Sequence, residues 1–189
     1  MIIYQNGYPI SAVYTQPPKK SNRGQQLTKS PINSFSENIS LDVRTPLSLK
    51  NNKEEELYLT ELQPDIILVI SYGQIIPKNL LNIPKHGFLN VHASLLPKWR
   101  GAAPIQRSIM NLDKETGISI MRINENLDEG PVCNQYSLKI SEEMNSEELS
   151  EKLSLIASEK ILDILDNICL LYTSPSPRDR SVSRMPSSA

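Results

Sequence analysis

The sequence predicts an α/β protein with a Rossmann-like, doubly wound sheet whose strands are mostly parallel. The first observation is the continuous apolar run at 65–71, DIILVIS, which is typical of a strand covered on both faces. The second is the alternation of segment types, because helical patterns at 53–62 and 102–111 enclose strand-like segments at 65–71 and 87–92. A strand–helix–strand alternation of this kind favours a doubly wound sheet.

The first half of the chain contains the weaker signals. Strand-like segments at 10–14 and 39–43 flank a polar loop at 16–31 and a short helix, and the loop ends at Pro31. The helix at 53–62 has acidic residues in its first turn, which suit the positive end of the helix dipole, and Pro64 ends it. A turn at 72–74 and a short helical piece at 75–81 follow.

The second half is more regular. We expect a helix at 102–111, with Pro104 in its first turn, and strands at 117–123 and 132–140 joined by a polar loop that ends in glycine. Residues 147–168 form an amphipathic helix with an apolar stripe at Leu149, Leu153, Ile156, Ala157, Ile161, Ile164, Leu165 and Ile168. We interpret this stripe as core and assign it no chemistry.

The composition narrows the class of protein. The chain has 189 residues, 39% hydrophobic and 22% charged, which is enough for one domain with a sizeable core. The longest aliphatic run, 66–70, cannot span a membrane, and the N-terminus lacks the pattern of a signal peptide. Cys133 and Cys169 belong to no paired motif. We therefore expect free thiols, a cytoplasmic monomer and no metal site.

The net charge of −1 hides an asymmetry. Residues 1–36 contain four basic side chains and no acidic one, whereas residues 37–172 contain 13 basic and 20 acidic side chains. All four, Lys19, Lys20, Arg23 and Lys29, lie in the polar loop. A basic segment on an otherwise acidic chain suggests that a polyanion such as RNA binds there, and a solvated loop without function is the alternative.

The chemistry concentrates in the segment 87–107, GFLNVHASLLPKWRGAAPIQR. Asn90 and His92 lie two positions apart on the predicted strand, so their side chains point to the same face. An amide beside an imidazole can bind a carbonyl oxygen and move a proton. A single histidine in an apolar strand is more often a core residue, so the interpretation depends on the Ser-Leu-Leu-Pro sequence that follows at 94–97.

This block resembles the folate-dependent formyltransferases, whose signature is Asn-x-His followed by Ser-Leu-Leu-Pro. The continuation KWRGAAPIQR, with Thr15-Gln16-Pro17 upstream, is most similar to the members that formylate methionyl-tRNA. The resemblance extends from about residue 6 to about residue 167. It implies transfer of a formyl group from 10-formyltetrahydrofolate to the α-amino group of initiator methionyl-tRNA, for translation initiation.

The resemblance also implies a role for each site residue. Asn90 donates a hydrogen bond to the developing oxyanion, His92 adds positive charge, and Asp128, in the segment LDEG at 127–130, relays a proton and fixes the histidine. Alone, an aspartate in such a loop is usually a turn former. The expected folate-positioning residues are Ser94, Leu95, Leu96 and Pro97. The expected tRNA-binding residues are Lys19, Lys20 and Arg23.

Departures from the family define the expected domain boundaries. Met1 aligns inside the family's first helix, so we expect a catalytic domain at 1–168 that lacks the first strand, which lies in the middle of the family's sheet. Residues 169–189 are rich in Ser, Pro and Arg and predict a disordered, non-native tail. We expect the C-terminal tRNA-binding domain to be absent. Pro18 stands where the family typically has an aspartate.

Two alternatives stay open. Another formyltransferase, acting on glycinamide ribonucleotide or on a nucleotide-linked amino sugar, shares both motifs. An inactive fragment, or an RNA-binding module without catalysis, would use the basic loop alone and leaves Asn90, His92 and Asp128 unexplained.

Overall fold

A computed structural model describes residues 2–21 and 26–167. Its elements are α1 Ile2–Gln5, β1 Val13–Tyr14, β2 Lys19–Ser21, β3 Gln26–Thr28, α2 Pro31–Asn38, β4 Val43–Arg44, α3 Lys53–Leu62, β5 Ile67–Val69, α4 Lys78–Leu81, β6 Phe88–His92, α5 Pro104–Met110, β7 Glu115–Arg122, β8 Val132–Lys139 and α6 Ser146–Asp166.

The strands of the described ranges form three sheets. β1 pairs in parallel with β4, and β2 pairs antiparallel with β3 as a hairpin. The largest sheet has the order β5-β6-β7-β8, in which β5 and β6 are parallel and the β6–β7 and β7–β8 pairs are antiparallel. The α/β class agrees with the prediction, and the parallel part of the sheet ends at β6. Antiparallel strands at one edge are common in folds of this class.

Helix α3 has the predicted bounds, and the Asn52 side chain accepts a hydrogen bond from the Glu55 backbone N–H at its start. Two other expectations are wrong. The apolar run at 65–71 gives only the short β5, whose residues are partly exposed because β6 is its single neighbour among the described strands. The segment 16–31, expected to be an irregular loop, contains the β2–β3 hairpin.

The β1–β4 sheet and the β5–β8 sheet share no paired strands among the described residues. Tyr14 of β1 nevertheless packs against the same buried cluster as Ile67 and Val69 of β5. Among the described strands, β1 and β5 are therefore joined by side-chain packing and not by backbone hydrogen bonds. The buried members of the shared cluster are Leu49, Leu59, Ile76, Leu80 and Phe88.

Helix α6 covers one face of the larger sheet. Its stripe is buried at Leu149, Leu153, Ile161 and Ile164, as predicted. Ile161 and Ile164 pack with Leu89 of β6 and Ile120 of β7, so the helix fixes the strands that carry the candidate site. An asparagine capping box starts the helix, because Asn145 and Glu148 each accept a backbone hydrogen bond from the other's N–H.

A buried ion pair joins α3 to β4. The Arg44 guanidinium donates to both oxygens of the Glu55 carboxylate, at 2.7 and 2.9 Å, and the Tyr14 hydroxyl donates to Oε2 at 2.6 Å. The Glu55 side chain is only 7% exposed. Burial by itself would raise the pKa of the Glu55 carboxyl, but the hydrogen bonds from Arg44 and Tyr14 outweigh burial and hold this pKa below its ordinary value.

Replacing Glu55 by glutamine should lower the free energy of unfolding by about 2 kcal/mol at neutral pH, because Arg44 loses a bidentate partner while still partly buried. The pKa of Glu55 is lower in the folded chain than in the unfolded chain. Its contribution is therefore complete at neutral pH and is lost as the pH falls through the folded-state pKa. Urea unfolding of both chains over a pH series measures this difference.

The matched control is Glu54→Gln. Glu54 also pairs with Arg44, at 2.9 Å, but its side chain is 82% exposed, so the loss should be below about 0.5 kcal/mol. Equal losses from the two substitutions, or a Glu55→Gln loss that persists in acid, would contradict the assignment.

Several expectations fall outside the described residues. These include Arg23, Ile168, Cys169 and the tail at 169–189. Within the described part, Cys133 is a free, half-buried thiol, and burial raises its pKa. No helix of residues 2–21 and 26–167 combines the length and the apolar content that crossing a membrane requires.

Candidate active site

Strand β6 carries two polar side chains, Asn90 and His92, among apolar residues. Phe88 and Leu89 are buried and anchor the strand, and His92 is also buried at 7% exposure. Asn90 lies opposite Met121 of β7, and His92 lies opposite Ser119. Because side chains alternate along a strand, Asn90 and His92 share one face, as the sequence predicts.

The third residue comes from the loop between β7 and β8. Asp128 adopts a left-handed backbone conformation with φ of 49°, which aspartate tolerates better than most residues. Gly130 lets the loop return to the sheet, since a Cβ there would lie 1.8 Å from the Arg122 carbonyl oxygen. The loop backbone therefore requires glycine at this point, and it carries the Asp128 carboxylate back towards β6.

Asn90, His92 and Asp128 meet around one carboxylate. The Asn90 Nδ2 donates to Asp128 Oδ1 at 3.3 Å, and His92 Nδ1 lies 3.5 Å from Asp128 Oδ2. The backbone N–H of Gly101 also donates to Oδ2, at 2.8 Å. The side chains of His92 and Asp128 are 7% and 12% exposed, so both are largely shielded from solvent.

The backbone of Trp99 sets the hydrogen position on the histidine. His92 Nε2 lies 2.9 Å from the Trp99 carbonyl oxygen, and a carbonyl can only accept, so Nε2 carries the hydrogen. Trp99 itself has a left-handed backbone with φ of 57°. From the sequence, Asp128 is expected to fix the imidazole. In the structure, Trp99 fixes Nε2 and leaves Nδ1 facing the carboxylate.

The Ser-Leu-Leu-Pro turn at 94–97 follows β6 directly. Ser94 is fully buried, and its hydroxyl donates to the Lys98 carbonyl oxygen at 2.5 Å. Leu96 is 9% exposed. Ser119 of β7 and Gln135 of β8 hold this turn, and neither is among the residues predicted from the sequence. The available signal was a serine at the centre of the apolar strand GISIM.

Two of the basic residues predicted for RNA binding, Lys19 and Lys20, lie on β2, away from the strands that carry the trio. Lys19 and Lys20 are exposed on β2, opposite Thr28 and Leu27 of β3. Just before this hairpin, the Gln16 side chain donates to the Tyr72 carbonyl oxygen at 2.7 Å, which ties its base to the turn after β5. The basic hairpin is therefore attached to the carboxyl-end edge of the sheet, where doubly wound folds bind ligands.

The arrangement has a definite chemical capacity. An amide donor, an imidazole and a carboxylate converge beside a turn whose backbone is fixed. Such a set can stabilise negative charge on an oxygen and accept or return a proton. Among the described residues, no group of three or more His, Cys, Asp or Glu side chains could hold a metal ion.

A family model described as Formyl transferase matches residues 4–165, and the chain belongs to that family. It is 61% identical over 166 residues to a protein of Pelagibacter ubique (strain HTCC1062) named methionyl-tRNA formyltransferase, covering 88% of this chain and 54% of that protein. It is 47% identical over 167 residues to a protein of the same name from Ehrlichia ruminantium (strain Gardel), covering 88% and 55%. The chain thus spans about half the length of these curated relatives.

Solved structures support the fold. A phosphoribosylglycinamide formyltransferase from Bacillus halodurans matches with a TM-score of 0.71 at 22% identity, over 84% of this chain and 82% of that one. A sugar N-formyltransferase from a Shewanella species matches with a TM-score of 0.61 at 26% identity, over 76% and 54%. These likenesses confirm the Rossmann-like α/β class.

Proposed function

We propose that this chain is the catalytic part of an enzyme that transfers a formyl group from 10-formyltetrahydrofolate to the α-amino group of initiator methionyl-tRNA. The observation that carries the proposal is the meeting of Asn90, His92 and Asp128 around one carboxylate, in a chain 61% identical to a protein named for this reaction. A step of translation initiation would take place in the cytoplasm.

Asn90 and His92 stabilise charge. When an amine attacks a formyl carbon, the carbonyl oxygen becomes negative. The Asn90 amide can donate a hydrogen bond to that oxygen. Its present bond to Asp128 Oδ1 is long, at 3.3 Å, so the amide can turn from the carboxylate towards the oxygen. His92, held at Nε2 by Trp99, presents Nδ1 to the carboxylate and adds positive charge when protonated.

Asp128 moves the proton. Its carboxylate already accepts hydrogen bonds from the Gly101 N–H and from Asn90, so its orientation is set before substrate arrives. A carboxylate held in this way can take the proton that the attacking amine must lose and pass it to the departing nitrogen. The folate supplies the formyl group.

The residues around the trio fit a folate. The turn at 94–97 offers a rigid backbone and partly buried leucines, which suit a flat ring with polar edges. The hairpin offers Lys19 and Lys20, which suit the phosphates of an RNA. We assign Ser94, Leu95, Leu96 and Pro97 to folate positioning and Lys19, Lys20 and Arg23 to tRNA binding.

A direct test compares acceptors. This chain, supplied with 10-formyltetrahydrofolate, should formylate initiator methionyl-tRNA faster than glycinamide ribonucleotide or a nucleotide-linked amino sugar. The assay follows the labelled formyl group into each acceptor, and binding of 5-formyltetrahydrofolate is measured separately by calorimetry. Formylation of another acceptor in place of methionyl-tRNA would favour the alternative formyltransferases. Tight RNA binding without folate binding would favour an RNA-binding module.

Replacing Lys19 and Lys20 together by alanine should weaken tRNA binding and leave folate affinity unchanged. Each lost phosphate contact should reduce the slope of log affinity against log salt by about 1. Filter binding at several salt concentrations gives the slope. The control is Lys139→Ala, an exposed lysine on β8, and an equal change in that variant would remove the hairpin from tRNA recognition.

A further inference from the structure

The turn at 94–97 is fastened by one hydroxyl group on the neighbouring strand. The Leu96 backbone N–H donates to Ser119 Oγ at 2.9 Å, and Ser119 Oγ donates to the Ser94 carbonyl oxygen at 2.6 Å. A single side chain therefore bonds the first residue of the turn, Ser94, and the third, Leu96. Ser119 and Ser94 have no exposed surface, so water cannot replace either bond.

Gln135 completes the fastening from the next strand. It lies opposite Ser119 in the β7–β8 register, and its Nε2 donates to the Leu96 carbonyl oxygen and to Ser119 Oγ, each at 2.9 Å. The serine hydroxyl then donates once and accepts twice, which is its full capacity. Both backbone polar groups of Leu96 are bonded to these two side chains.

The same network reaches the proposed catalytic residues. Ser119 lies directly opposite His92 in the β6–β7 register. The turn continues into Lys98, whose carbonyl oxygen accepts from the Ser94 hydroxyl, and then into Trp99, whose carbonyl oxygen holds His92 Nε2. A shift of the turn would therefore move both the surface beside the site and the carbonyl that orients the imidazole.

We propose that Ser119, assisted by Gln135, is a positioning residue that fixes the 94–97 turn for the folate co-substrate. This inference rests on the proposed function, since the ligand concerned is the folate. Neither residue touches the reacting atoms, because both bond only to the turn and to each other. Their effect should fall on folate affinity more than on the chemical step.

Three variants test the proposal in the full 189-residue chain. Ser119→Ala removes the hydroxyl from a buried site. Gln135→Glu keeps the size of an exposed residue and puts a carboxylate oxygen, which the Leu96 carbonyl oxygen repels, in place of the N–H donor. It decides the question if Ser119→Ala does not fold. Ser137→Ala is the control, because Ser137 is an exposed serine on β8, two positions after Gln135.

Calorimetry with 5-formyltetrahydrofolate should show affinity about tenfold weaker for Ser119→Ala and a smaller loss for Gln135→Glu, with Ser137→Ala unchanged. Hydrogen exchange of the Leu96 amide should accelerate about tenfold in Ser119→Ala. The thermal midpoint should fall less in Gln135→Glu than in Ser119→Ala, because Gln135 is exposed and Ser119 is fully buried. Affinity is therefore compared at a temperature where every variant is fully folded, so that a loss of binding reports the position of the turn and not the unfolded fraction.

The possible failures are distinct. If the original chain binds the folate and both variants bind it equally well, the positioning role is overturned and the proposed function stands. Unchanged exchange at Leu96 in Ser119→Ala overturns it as well. If the original chain binds no folate, the proposed function falls and this inference falls with it.

Discussion

Replacing Asp128 by asparagine should slow turnover by about 100- to 10,000-fold and leave folate affinity nearly unchanged. Asparagine has the same shape, and its carbonyl oxygen can still accept from the Gly101 N–H, which now bonds to Asp128 Oδ2 at 2.8 Å. An amide cannot take the proton that the attacking amine releases. The substitution therefore removes the proton relay without removing the loop geometry.

Single-turnover formylation and calorimetry on the same preparations separate the two effects. The control is Glu129→Gln at the adjacent position, where an exposed carboxylate pairs with Arg100 at 3.0 Å outside the cluster. Turnover should be retained in that variant. Full turnover in Asp128→Asn would exclude Asp128 from the mechanism.

Replacing Asn90 by alanine should lower turnover by about 100- to 1,000-fold, the usual effect of losing one oxyanion donor. A second consequence accompanies it, because Asp128 loses its 3.3 Å hydrogen bond from Nδ2 and becomes freer to reorient. The loss should appear in turnover more than in the Michaelis constant for either substrate, since the bond to the oxygen strengthens only as charge develops.

Steady-state kinetics with each substrate varied in turn measures this division. Asn126→Ala, in the exposed part of the same loop as Asp128, serves as the control and should be close to the original chain. An Asn90→Ala variant that changes only the Michaelis constant would make Asn90 a ligand for substrate and not a stabiliser of the transition state.

Helices and strands could be predicted from the sequence where the local residue pattern agrees with the packing of the folded chain. Helix α3 combines an asparagine cap, acidic residues in its first turn and a following proline, and the structure gives it the predicted bounds. The stripe of α6 was equally clear. The β2–β3 hairpin was not, because each strand has only three residues and Leu27 is the one apolar residue in β2 and β3, so there is no alternation that periodicity could detect.

The candidate site was only partly predictable. Strand alternation alone placed Asn90 and His92 on one face, whereas Asp128 was found through the family resemblance and not through any pattern of its own. The partners that hold the site are largely backbone groups, namely the Trp99 carbonyl and the Gly101 N–H. Nearly every residue has such groups, so side-chain identity cannot reveal which of them bond to the proposed catalytic residues.

The order of strands in the larger sheet affects how the candidate active site forms during folding. In the larger sheet, β5, β6, β7 and β8 lie side by side in the order in which they occur along the chain. β1 pairs with β4, and the β2–β3 hairpin and helix α2 lie between them in the chain. Contacts between segments close in sequence form with less loss of chain entropy and hence faster. Asn90, His92 and Asp128 all belong to the consecutive strands and their loops. Asn90 and Asp128 are 38 residues apart, and the β1–β4 partners Val13 and Val43 are 30 apart (43 − 13), so bringing the proposed catalytic residues together costs about as much chain entropy as pairing β1 with β4.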